Sequence, residues 1–156
     1  MGPTPSEKED LLSPAKSDSG TFSADEKAAI QALAKERRAA KKGEKAEEEL
    51  QGVLDAIAKM NDEDRALCSR LHEIITEAGP SLTPRTWYGM PAYAKDGKVL
   101  LAVKNSGKFG QRYTSLEFQD VAALDSGAIW PTSYAVTKLT KTGEQDIAAL
   151  VRKAVG

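Results

Sequence analysis

Apolar residues recur along this chain with two different periods, and the change between them divides it. Leu50, Val53, Leu54 and Ile57 fall at i, i+3, i+4 and i+7, one stripe of a helix, and predict a helix from about Ala46 to Lys59. Leu67, Leu71, Ile74, Ile75 and Ala78 give the next helix its buried face. Asn61 can cap that helix, and Asp62, Glu63 and Asp64 sit in its first turn, where the helix dipole favours carboxylates. Gly79-Pro80 should stop it, with Gly79 in the left-handed cap conformation. Upstream, Ser23-Ala24-Asp25-Glu26 fits a capping box, and the Ala-rich stretch to about Ala40 favours helix by propensity. Only Ile30 and Leu33 give that stretch an apolar face, so it reads as a weakly docked arm. Lys41-Lys42-Gly43 reads as a break after it.

Beyond Pro80 the period falls to two. Arg85 to Tyr88 and Ala92 to Lys95 read as strands, Asp96-Gly97 as a two-residue hairpin turn, and Lys98 to Asn105 as the return strand. Val99 to Val103 are all apolar, as in a central strand. Gln111 to Phe118 alternates, a helical turn is expected near Val121 to Leu124, and a last strand near Tyr134 to Leu139. Thr142-Gly143-Glu144-Gln145 fits a second capping box, before a helix with Ile147, Leu150, Val151 and Ala154 on its apolar face. The order predicts an α+β domain, an antiparallel sheet with helices packed on one face. Residues 1–22, rich in Pro, Ser, Lys and Asp, read as a disordered tail, 23–45 as a helical arm, and 46–156 as the domain.

Composition narrows the class of partner. The chain has 22 Lys+Arg against 23 Asp+Glu, a net charge of −1, which gives no global attraction for nucleic acid or anionic membrane. One Cys cannot form an internal disulfide, and one Cys with one His has no zinc-finger spacing. No long apolar run or signal peptide is readable, so the expected location is cytoplasmic, with no membrane partner.

The segment Trp87-Tyr88-Gly89-Met90-Pro91-Ala92-Tyr93, followed by Asp96-Gly97-Lys98 and an apolar strand, resembles the YdhG-like family of bacterial domains of unknown function. The resemblance covers about Ala46 to Val155. It implies a frataxin-like α+β fold and, by analogy with one branch, an intracellular iron chaperone handling Fe(II) through weak carboxylate sites. From Asn61 onward, however, the chain has 12 basic and 11 acidic residues, without the acidic excess such a role favours.

Two constellations carry candidate chemistry. Asp64, Cys68 and His72 lie at i, i+4 and i+8, one drifting helical stripe that could contribute to a metal site. The competing roles are capping for Asp64 and packing for Cys68. Trp87, Tyr88, Met90 and Tyr93, with Lys104, Arg112, Tyr113 and Trp130, could line a pocket for a planar or anionic small molecule. The alternative is a core with a bulge at Gly89. The basic stretch Lys35 to Lys45 interleaves with glutamates and reads as a solvated helix rather than a nucleic-acid surface. No nucleophile elbow, triad or phosphate-cradling glycine loop is readable. The sequence therefore points to a binding protein for a small molecule or metal ion, and as the competing class to a protein-interaction module docking through residues 23–54.

Overall fold

Ser23 accepts a hydrogen bond from the Glu26 N–H at 3.1 Å, half of the expected capping box, and a helix starts there. This is a computed structural model, and it describes residues 23–156. The tail expected over residues 1–22 lies outside them. Helix α1 (Ala24–Ala58) includes Lys41-Lys42-Gly43, where a break was expected. One glycine costs a helix about 1 kcal/mol relative to alanine, and the flanking Ala, Lys and Glu are strong helix formers.

The chain divides into two units, Met1–Gly43 and Glu44–Gly156. In the first, the described residues are helical from Ala24, and Ile30 and Leu33 are about half exposed. In the second, the α1 residues Val53 and Ile57 are buried while Leu50 and Leu54 stay substantially exposed. The buried stripe is thus narrower than the sequence pattern.

Helix α2 (Asp62–Ala78) is capped by Asn61, whose side chain accepts from the Asp64 N–H at 2.9 Å. Gly79 ends it at φ −123°, not in the left-handed region expected. What requires glycine there is space: a Cβ would meet Leu82 Cδ1 at 2.7 Å and Val151 Cγ1 at 3.2 Å.

Five strands follow, β1 (Thr83–Trp87), β2 (Met90–Lys95), β3 (Lys98–Lys104), β4 (Thr114–Phe118) and β5 (Ser133–Val136). They form an antiparallel meander in the order β1-β2-β3-β4-β5. The β1–β2 connection differs from expectation. Trp87 pairs with Met90, and Tyr88 and Gly89 both have positive φ, 50° and 74°. This is a tight hairpin turn of the primed type, not a strand end with a bulge. Asp96 and Gly97 make a second turn of the same kind, at 50° and 80°, as expected. The irregularity in the sheet lies elsewhere. Tyr93 pairs with Leu101 and Ala94 with Val99, which leaves Leu100 as an extra residue on β3.

A short helix α3 (Ser106–Phe109), not foreseen, links β3 to β4. The helical turn expected at Val121 to Leu124 is a hydrogen-bonded turn from Gln119 to Ala122. Helix α4 (Lys141–Val155) is capped by Thr140, whose hydroxyl accepts from the Gly143 N–H at 3.0 Å. The expected Thr142 box does not form, because the helix starts earlier, with Thr140 as its cap, and Thr142 falls inside the first turn.

One main core joins Val53 and Ile57 of α1, Leu71 and Ile75 of α2, and Ile147 and Val151 of α4 to Tyr93, Leu101, Val103, Leu116 and Phe118. A separate small cluster, Met90, Ala92 and Ala102 with Trp87 and Val99, contains strand residues alone. Adjacent residues 92 and 93, and again 102 and 103, fall in different clusters, so the helices cover one face of the sheet. Among the described residues, no helix is long and apolar enough to cross a membrane.

Candidate functional site

Asp64 is the polar centre of the second unit. It occupies the first turn of α2 and is 4% exposed. Its Oδ2 accepts from the Gly107 N–H at 2.8 Å, from Asn105 Nδ2 at 3.1 Å, and at 3.4 Å from Asn61 Nδ2. Its Oδ1 accepts from the Ser106 hydroxyl at 2.9 Å. Burial alone would raise its pKa. The hydrogen bonds from Asn105, Gly107, Ser106 and Asn61 outweigh that and hold the carboxyl below its ordinary value. One carboxylate thus ties the segment after β3 to the start of α2, a connection spanning 43 residues of sequence.

Gly107 is what allows this approach. A Cβ there would run into Asn61 Nδ2 and lie 2.9 Å from Asp64 Oδ2. Gly89 does the same service for the β1–β2 turn. It carries the positive φ, and the Lys108 ammonium lies where its Cβ would be, donating to the Tyr88 carbonyl at 3.3 Å. The Tyr-Gly turn and the Asn105–Lys108 segment are therefore in contact across the end of the sheet.

Between them and α1 opens a cleft of about 760 Å³, lying wholly within the second unit. Gly52, Asp55 and Ala56 of α1, with Lys59 and Met60 just beyond its end, form one wall, and Thr86 and Gly89 another. Asn61, Asn105, Gly107 and Lys108 complete it. Two cations and two carboxamides meet one carboxylate, Asp55, and that one also accepts from Gln51 Nε2 at 2.8 Å. An opening so lined suits a small polar ligand bearing negative charge.

The expected ligand-binding residues do not converge. Tyr93 is fully buried in the main core, and its hydroxyl is hydrogen-bonded to His72 Nδ1 at 2.8 Å. Trp130 packs against that same core. Met90 and Trp87 lie on the opposite sheet face, and Trp87 meets the exposed Tyr88 ring edge-on at 4.9 Å between centroids. Lys104 places its ammonium 5.1 Å from the Phe109 ring centroid. Arg112 stacks on Tyr113 at 5.2 Å and lines, with Tyr113, a second opening of about 460 Å³ beside Glu63, Asp64 and Ser106.

The metal candidates are engaged in other ways. Both Asp64 oxygens accept hydrogen bonds. Cys68 is buried, and burial first, then the Asp64 charge, pushes its thiol up to about 12. Burial pulls the His72 imidazole below its ordinary value, against the opposing pull of Glu73. Among the described residues no group of three or more His, Cys, Asp or Glu side chains is placed to hold a metal ion.

Sequence reasoning passed over Lys59, Asn105 and Lys108, and took Asn61 only as a cap. The available signal was Asn105-Ser106-Gly107-Lys108 at the end of an apolar strand, a polar turn with a glycine that permits close approach. No family model, curated protein or solved structure matches the chain in the comparisons made with each.

Proposed function

We propose that this chain is a YdhG-like binding domain that holds a small anionic molecule in the cleft between α1, the Tyr88-Gly89 turn and the Asn105–Lys108 segment. The observation that carries the reading is the lining itself. Lys59 and Lys108 stand at an open cleft beside Asn61 and Asn105, and the buried Asp64 carboxylate fixes that segment in place. In this reading the Tyr-Gly-Met-Pro segment serves as a scaffold. Its turn shapes the cleft edge and seats Lys108, while Met90 and Trp87 pack on the far face.

Titration of the ¹⁵N-labelled protein with propionate and with inorganic phosphate tests this. Saturable shifts should concentrate at Gly89, Asn61, Asn105 and Gly107, and Lys59→Gln with Lys108→Gln should abolish them. Shifts spread over surface lysines, and unchanged in the double variant, would overturn the assignment.

A second reading, docking of a protein partner through residues 23–54, is favoured by one observation. In the first unit Ile30 and Leu33 are 50% and 47% exposed, an apolar pair three residues apart on α1. Deleting residues 1–45 should abolish that partner and leave anion binding intact.

A further inference from the structure

The buried polar group under the cleft is saturated at its centre and open at one edge. Asn105 is 4% exposed, and its Nδ2 donates to Asp64 Oδ2 at 3.1 Å. That bond fixes the sense of the amide, since exchanging its oxygen and nitrogen would set an oxygen against a carboxylate. Oδ1 is therefore an acceptor, and among the described residues it is the one buried side-chain polar atom without a hydrogen-bond partner. A buried acceptor left unpaired is costly and is rarely tolerated without a role. The open volume that Asn105 borders is the cleft containing Lys59 and Lys108.

We infer that Asn105 Oδ1 sets the selectivity of the cleft: its ligand is a small carboxylate that also carries an N–H or O–H donor, not a bare acid. The two lysines hold the acid group, and the donor meets Oδ1. This rests on the anion-binding reading above and adds a requirement to it. The polar network supplies the rigidity that such discrimination needs. Asn105 cannot turn away to find another donor without giving up its bond to Asp64, and Asp64 is itself held by Ser106 and Gly107.

Three acids of three carbons, L-lactate, L-alanine and propionate, separate the two ideas on the wild-type protein. The readout is the dissociation constant from ¹H–¹⁵N spectra, together with the side-chain amide signal of Asn105. At least one donor-bearing acid should bind about ten-fold tighter than propionate, the effect of pairing one buried acceptor, and should move the Asn105 amide signal. Propionate binding as tightly as both others would overturn the role of Asn105 while leaving the anion site standing. Failure of all three acids to move Gly89, Gly107 or Asn105 would overturn both.

Discussion

Replacing Asp64 with Asn removes a charge without changing size, and it tests how the cleft is held together. The carboxylate accepts three bonds of good length, from Gly107 at 2.8 Å, Ser106 at 2.9 Å and Asn105 at 3.1 Å. Hydrogen bonds to a charged group contribute about 1.5–3 kcal/mol each. The Asn oxygen, set at the Oδ2 position, keeps Gly107 and Asn105 only as bonds to a neutral acceptor, and its NH₂ obliges the Ser106 hydroxyl to turn from donor to acceptor. A net loss of about 2–4 kcal/mol follows. Urea unfolding at pH 7 followed by circular dichroism measures it, with m expected to stay constant. The loss should also depend on pH. The folded-state pKa of Asp64 lies below its ordinary value, so its stabilisation is complete above the unfolded value of about 4 and is lost as pH falls through the folded one. The gap between wild type and Asp64→Asn should therefore narrow progressively below about pH 4. A gap under about 0.5 kcal/mol at pH 7, the scatter expected of surface substitutions, would refute the hub. So would a gap that stays constant with pH.

Other outcomes follow from the same geometry. Gly107→Ala should destabilise the protein by about 1–3 kcal/mol, because the new methyl group collides with Asn61 and crowds Asp64; urea midpoints check it. Tyr93→Phe should cost about 1 kcal/mol through loss of the bond to His72, with the fold retained in ¹⁵N spectra. Cys68, buried and with its thiol raised to about 12, should resist a disulfide reagent at pH 8 in the native protein and react once urea unfolds it. Labelling of the native protein at the rate of a free thiol would contradict that placement.

The fold was legible where one face of an element is strongly apolar. Leu67, Leu71 and Ile75 announce α2, the alternation of β4 announces a strand, and Asp96-Gly97 announces its turn. What escaped were choices made by tertiary contacts or between competing caps. Tyr88-Gly89 reads as a strand end because Tyr is a strong strand former. Its positive φ shows only once Trp87 is seen to pair with Met90. Thr142-Gly143-Glu144-Gln145 imitates a capping box, but Thr140 caps the helix and leaves Thr142 inside its first turn.

The candidate site was less legible than the fold for a related reason. Aromatic residues attract notice in a sequence, yet Tyr93 and Trp130 serve the core. The cleft is built from Lys59, Asn61, Asn105 and Lys108, ordinary polar residues from the α1–α2 connection and from the β3–α3 segment. Long-range bonds from Asn105, Ser106 and Gly107 to Asp64 bring the two segments together.

Native mass spectrometry of the protein isolated from its host tests the central claim most directly, by comparing the wild type with a Lys59→Gln, Lys108→Gln variant. The account predicts a small organic acid retained by the wild type and absent from the variant, with both proteins folded. A wild type that carries nothing, or a ligand retained equally by the variant, would contradict it.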